Sequence, residues 1–349
     1  ALRASEPGLS GSDALTCPYP SDMRALDQLP KGHLHLHLEG AMRPTTLTER
    51  ARHYGMAVPE ISGFGSFTAF VGMYRAACEV LRTEDDIARL MTEVVEDAAA
   101  AGAVWVEPAC WPVHHREVLG SDQDVLEFLL ETAARAAKQT GVGVGLIVAA
   151  DRTDDPAESV PLAHLAARYA GRGVVGFGLA NDEDGFPPEP FAEAFAIARA
   201  AGLLAVPHAG ELAGPASVRG ALDALGADRV QHGVRVLEDP ELLARVAAEG
   251  VCLDVCPTSN FLLAVVPALA AHPLPTLLRA GVRCSVNADD PLLFGSGLLE
   301  EYGVCRDVLG LTDEELAGVA RASITSSGAP RDLKTRALAD IDRWLATPS

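Results

Sequence analysis

The feature that most constrains this chain is a sustained alternation, starting at Gly32, of short apolar β-prone runs with longer Ala/Leu/Glu/Arg-rich stretches of helical period. Strands are expected over 32–38, 104–107, 143–149, 173–179, 203–207, 229–232, 251–255 and 282–287. Helices are expected between them over 84–101, 124–138, 189–201, 215–225 and 240–249, several opening at Ser, Asp or Pro and closing at Gly. Parallel strands need crossover connections, so this order implies a parallel sheet. Eight such units suggest closure into a barrel. A doubly wound sheet stays open at this level, because periodicity counts strands without ordering them.

The 349 residues could bury one large core or two average domains. No Pro/Gly/Ser linker interrupts 29–349, which therefore reads as a single domain behind a Ser/Gly/Pro/Asp-rich extension over 1–28. An additional helical segment over 45–82 follows the first strand and carries Phe64, Phe67, Phe70 and Tyr74. In a barrel it sits at the C-terminal mouth, where those aromatics either pack the insertion down or face a substrate as a lid.

Lys and Arg number 28 against 48 Asp and Glu, a formal charge of -20, which disfavours nucleic acid and anionic membranes as partners. The chain has no apolar run suited to a signal or a membrane span, and its seven cysteines are dispersed without a CxxC. A reduced, cytoplasmic protein without a disulfide framework or zinc ribbon is the expectation. Composition leaves the oligomeric state, including a homo-oligomer, open.

The run His33-Leu34-His35-Leu36-His37-Leu38-Glu39-Gly40 carries the strongest chemical signal. Strand alternation places all three imidazoles on one face and the leucines on the other. His35 and His37, nearest the strand end, could both reach one divalent ion, with His33 one layer deeper; a polar stripe with water or carboxylate partners is the plainer reading. Three more polar clusters follow predicted strands: His208-Ala209-Gly210-Glu211, Gln231-His232-Gly233 and Asn287-Ala288-Asp289-Asp290-Pro291. Each alone could be a core histidine, a cap or a turn. Together they stand where barrel enzymes hold catalytic groups. His35, His37, His208 and Asp289 would supply three imidazoles and a carboxylate to a Zn2+-like ion, leaving Glu211, His232 and Asp290 for proton transfer and substrate binding.

Other motifs carry less. The glycines of Gly141-Val142-Gly143-Val144-Gly145 precede a strand and do not complete GxGxxG. His114 and His115 read as loop residues, and Cys252 and Cys256 as packing.

The same motifs, with Leu29-Pro30-Lys31-Gly32 before the histidine run and Cys256-Pro257-Thr258-Ser259-Asn260 after His232, resemble the adenosine deaminase family of the amidohydrolase superfamily. The resemblance runs in the family's order from Leu29 to the C-terminus and extends to the aminodeoxyfutalosine deaminase branch. It implies a (β/α)8 TIM-type barrel of the metal-dependent hydrolase kind with a helical insertion after the first strand. It also implies one Zn2+ per chain and hydrolytic removal of the 6-amino group of an adenine-type ring. By this resemblance His35, His37, His208 and Asp289 are zinc ligands and Glu211 protonates ring N1. His232 orients or deprotonates the attacking water, and Asp290 meets the N7 side. Such chemistry asks for a Glu211 that is neutral at pH 7, hence one in a dry pocket.

The substrate side departs from the adenosine pattern. Glu39 stands where Asp is usual, Gly178 and Asn181 replace the usual Asp and Gly, and Ala109 stands where Arg is common. Glu39, Asn181, Phe67 and Phe70 are the expected substrate contacts. A 6-aminopurine nucleoside such as adenosine, deoxyadenosine or a 5′-modified adenosine is the expected partner. 6-Aminodeoxyfutalosine and then adenine are the alternatives. A binuclear amidohydrolase would want a lysine near the fourth strand, where residues 173–183 have none, and a TadA-like deaminase would need PCxxC. A non-catalytic nucleoside-binding relative would be marked by loss of a ligand or of Glu211, and every such position is filled.

Overall fold

The computed structural model describes residues 23–61, 64 and 66–347. Its strands are β1 (Lys31–His37), β2 (Ala103–Cys110), β3 (Leu146–Asp151), β4 (Val174–Ala180), β5 (Leu204–Ala209), β6 (Arg229–His232), β7 (Cys252–Val255) and β8 (Arg283–Val286). Each pairs in parallel with the next in chain order. The seam from β8 to β1 is closed just past β8, where the His37 N–H donates to the Asp289 carbonyl at 3.1 Å and the Asp289 N–H to the His35 carbonyl at 3.2 Å. The result is the (β/α)8 barrel, with Val- and Leu-rich helix faces packed around it and both faces of the strands buried.

The expected run over 143–149 is divided. Gly143–Val144 pairs with β2 ahead of β3, and the break falls at Gly145, where a Cβ would lie 2.6 Å from Val175 and 2.8 Å from Trp105. The helix expected over 215–225 is a short α-helix, Pro215–Gly220, that loosens into a π-turn, Ala221–Leu225. In the expected extension over 1–28, residues 1–22 lie outside the described residues; Arg24 donates to the Leu345 carbonyl at 2.9 Å and the Thr347 carbonyl at 3.0 Å. Among the described residues no helix is long and apolar enough to cross a membrane, and the six described cysteines are free.

One expectation from strand alternation fails, and the reason is local. The register of β1 against β2 shifts between His33 and Leu36, and the consecutive N–H groups of Leu34 and His35 both donate to Asn287 Oδ1, at 2.7 and 3.1 Å. Two successive donors pointing one way mark a β-bulge. It turns Leu34 inward against Trp105 and Ala329, while His33 faces outward beside Leu36 and the helix residues Val94 and Ala98. Only His35 and His37 share the inner face, and His33 accepts the Ala288 N–H at 3.2 Å instead.

Beneath the histidines the barrel is plugged by charge. The buried Arg229 guanidinium donates to Glu107 at 2.7 Å and to Asp254 at 2.8 Å, and the Trp105 indole donates to the other Glu107 oxygen at 2.7 Å. Breaking such a pair on one side strands a buried charge, at a cost of about 3–5 kcal/mol. This layer closes the barrel floor, so access to the histidines is from the C-terminal mouth.

The insertion supplies α1 (Pro44–His53) and α2 (Phe67–Cys78). Phe70 stacks on Phe294 at 5.4 Å between centroids, and Phe64 stands edge-on to both, which fastens α2 over the mouth.

Candidate metal centre and active site

The metal group is assembled from three strand ends. His35 and His37 come from β1, His208 from β5, and Asp289 from the turn after β8; the ligand atoms of these four buried residues all lie within 4.8 Å of one another. His35 Nε2 is 3.1 Å from His208 Nε2 and 3.2 Å from Asp289 Oδ1, and His37 Nε2 is 3.1 Å from the same oxygen. Tetrahedral zinc with bonds of about 2.0–2.1 Å separates its ligands by roughly 3.3 Å, close to this spacing.

The outer ring atoms decide what the inner ones can do. His35 Nδ1 lies 3.1 Å from the Asp254 carbonyl and His208 Nδ1 lies 3.0 Å from the Leu179 carbonyl. A carbonyl only accepts, so each Nδ1 carries a proton, and each ring in its neutral form would offer its Nε2 lone pair to an ion. Two such lone pairs facing each other repel unless a cation lies between them, either a metal ion or a proton on one ring. Ser259 donates to Asp289 Oδ2 at 2.7 Å, which leaves Oδ1 for the histidines. The donor set fits a divalent ion that accepts imidazole and carboxylate ligands.

Electrostatics separate the three carboxyl groups around this cluster. Burial opposes a charged Asp289, but His35 and the hydrogen bonds from His35 and His37 outweigh it, holding its carboxyl well below the usual range. Burial pushes the Glu211 carboxyl well above its ordinary value, reinforced by Asp289 and Glu183. Burial and the Asp289 charge do the same to Asp290. One carboxyl shifted toward its ionised form and two shifted toward their protonated forms therefore face one cavity, the kind of separation that acid–base chemistry uses.

Glu211, His232 and Asp290, expected beside the metal group, are all there. His232 Nε2 lies 3.4 Å from Glu211 Oε1 and 3.8 Å from Asp289 Oδ2. Asp290 Oδ1 is buried with no hydrogen-bond partner among the described residues, and Gly40 makes room for it, since a Cβ there would fall 1.7 Å away. Backbone strain gathers at the same place. Four described non-glycine residues have positive φ, and three of them, Asn181, His232 and Asp289, line the cavity.

The substrate-side expectations divide. Phe67, Phe70 and Asn181 line the cavity with Tyr74 and Trp111. Asn181 spends its amide N–H on Asp151 at 2.7 Å. Glu39 does not line the cavity; it is buried, with its carboxylate accepting from the Tyr74 hydroxyl at 2.7 Å and lying 2.8 Å from His115 Nε2. Burial would raise its pKa, but His115 and Tyr74 bring it down to about 2. His115 is thus a buried partner of Glu39 rather than a loop residue, and His114 lines the mouth.

Three further residues touch the site. Trp111 stacks on His37 at 5.1 Å, and Glu183 accepts from the loop that carries Glu211. Asn260 Nδ2 lies 3.1 Å from His232 Nδ1 and belongs to the Cys256–Asn260 motif. Nothing in the spacing of Trp111 or Glu183 marks them, because their partners are distant in sequence.

The adenosine deaminase family model matches residues 30–344. A Streptomyces virginiae protein provisionally named adenosine/adenine deaminase is 45% identical, over 92% of this chain and 98% of its own length. Among solved structures, adenine deaminase from Arthrobacter aurescens superposes with a TM-score of 0.85 at 32% identity, covering 91% of this chain and 99% of that one. A zinc-bound amidohydrolase from Burkholderia ambifaria superposes with a TM-score of 0.82 at 30% identity, covering 92% and 93%.

Proposed function

Since the chain belongs to the adenosine deaminase family, whose members are hydrolytic deaminases acting on C–N bonds of cyclic amidines, we propose that it removes the 6-amino group of an adenine nucleoside using one zinc ion. The observation that carries this reading is the convergence of a four-residue ligand group with Glu211, His232 and Asp290 on a single cavity. Zinc held by His35, His37, His208 and Asp289 would lower the pKa of a water to about 7 and so supply the nucleophile for C6. Glu211 donates its proton to ring N1 as electrons move there, and Asp290 donates to N7. His232 orients the attacking water. With N1 protonated, the hydroxyl proton of the tetrahedral adduct passes to the amino group, which leaves as ammonia with the inosine-type product remaining, and the proton given up by the attacking water returns Glu211 to its acid form.

The nucleoside reading is supported by Asp151, Asn181, Arg75 and His114 in the lining of the cavity, polar residues beyond those assigned to the purine and the metal. A second reading, free adenine, is favoured by the withdrawal of Glu39 behind Tyr74 and His115, and by the name of the Arthrobacter relative. Ammonia release from adenosine, 2′-deoxyadenosine, 5′-modified adenosines, 6-aminodeoxyfutalosine and adenine separates them. The nucleoside reading predicts the highest kcat/KM on one of the nucleosides. Preference for adenine would replace it, and no release from any of these 6-aminopurines would overturn the reaction itself.

A further inference from the structure

A line of buried hydrogen bonds leads away from His232 to a residue that does not line the cavity. Asn260, on the short helix Pro257–Leu262, places Nδ2 3.1 Å from His232 Nδ1 and Oδ1 3.1 Å from His272 Nε2. The far nitrogen of His272, Nδ1, accepts the Leu274 backbone N–H at 3.2 Å. All three side chains are buried, at 1% exposure or less for His232 and Asn260 and 3% for His272.

The direction of this line is fixed at its outer end. A backbone N–H can only donate, so His272 Nδ1 must be the acceptor nitrogen of a neutral ring and its proton must be on Nε2. That proton goes to Asn260 Oδ1, which turns the Asn260 amide nitrogen toward His232. His232 Nδ1 therefore accepts, and the His232 proton is on Nε2, the nitrogen that faces Glu211 and Asp289. Reversing the His232 tautomer would require turning the Asn260 amide over and moving the His272 proton onto Nδ1, against the Leu274 N–H. Burial keeps His272 neutral, with its pKa lowered to about 4, so the ring does not escape this constraint by carrying both protons.

We propose that Asn260 and His272 are positioning residues that hold His232 with its proton on Nε2, so that the ring enters the cavity as a hydrogen-bond donor. The consequence for the reaction rests on the proposed deaminase reading: His232 holds the oxygen of the attacking water by donation and takes no proton through Nε2, which leaves Glu211 to move protons. Neither Asn260 nor His272 needs to touch substrate or metal for this.

The test reads the tautomer directly, by long-range 1H–15N NMR of the zinc-loaded enzyme labelled on histidine, alongside kcat and KM. Wild type should show His232 protonated on Nε2. In Asn260→Asp, nearly identical in shape, the carboxylate can only accept, so the His232 proton should move to Nδ1. In that variant kcat should fall by roughly 10²- to 10⁴-fold with KM little changed, as for a misprotonated catalytic histidine. His272→Phe should lose part of kcat and His272→Gln, which keeps an N–H for Asn260 Oδ1, should restore it; this pair also serves if Asn260→Asp fails to fold. An unmoved His232 tautomer in Asn260→Asp, or equal kcat in the two His272 variants, overturns the proposal. A tautomer that moves without loss of kcat upholds the positioning and removes His232 from the reaction instead.

Discussion

The carboxylate of Glu183 accepts the backbone N–H of Glu211 at 2.9 Å, and the same carboxylate gathers the N–H groups of Gly210, Leu212 and Ala213 at 2.7–2.9 Å. The loop that carries Glu211 is therefore wrapped around an anion from the end of β4. Bonds from backbone donors to an ionised acceptor are the strong kind, worth about 1.5–3 kcal/mol each when buried. Glu183→Gln turns one acceptor oxygen into an NH2 group facing donors. It should lower stability by about 2–4 kcal/mol in urea unfolding and reduce kcat through a misplaced Glu211. A loss below about 0.5 kcal/mol would mean that the loop holds its shape without the anion.

Glu211→Gln should lower kcat by roughly 10²- to 10⁴-fold while the bound metal stays at the wild-type level. The pH dependence gives a sharper check. Burial raises the Glu211 pKa, so the donating form is present below that value and is lost as pH rises through it. Wild type should lose kcat on the alkaline side, and the variant should show no such limb. An alkaline limb that survives in Glu211→Gln assigns the proton donor to another group.

Much of this site could be read from strand ends alone, for a reason that applies to barrels in general. The candidate ligands and acids on β1, β5, β6 and after β8 each follow a short apolar run, and the fold brings all such ends to one mouth. What was hidden depends on contacts that periodicity cannot express. The bulge at Leu34 and His35 exists because Asn287, far along the chain, captures two successive N–H groups. Glu39 is an expected substrate contact because it stands where the resembled family usually has Asp, yet Tyr74 and His115 hold it away from the cavity. The direction of the Asn260 and His272 hydrogen bonds is likewise set by a backbone donor, Leu274 N–H, that no motif contains.

Metal analysis should give one equivalent of zinc per chain, as four ligands on one center require. Chelation should abolish ammonia release and lower the melting temperature by on the order of 5 °C, since it returns three buried imidazoles and Asp289 to mutual contact at the β8–β1 seam. Zinc should restore both. Two equivalents bound, or a melting temperature indifferent to chelation, would place the metal elsewhere.

His272 should make the enzyme sensitive to mild acid by itself. Its folded pKa is about 4 against an ordinary value of 6.5, because burial penalises the charged ring. Below pH 6.5 the unfolded chain binds a proton at this ring that the folded protein does not, so unfolding gains protons and stability falls as pH falls. The effect is absent above 6.5, grows between 6.5 and 4, and levels off below 4 at a ceiling of about 3 kcal/mol. Urea unfolding at pH 7 and pH 4.5 should therefore show a smaller acid loss in His272→Gln than in wild type, with the difference between the two on the order of 2–3 kcal/mol. Equal losses in the two proteins would mean that His272 gains its proton in the folded state, and with it that the ring can turn its Nδ1 away from the Leu274 N–H.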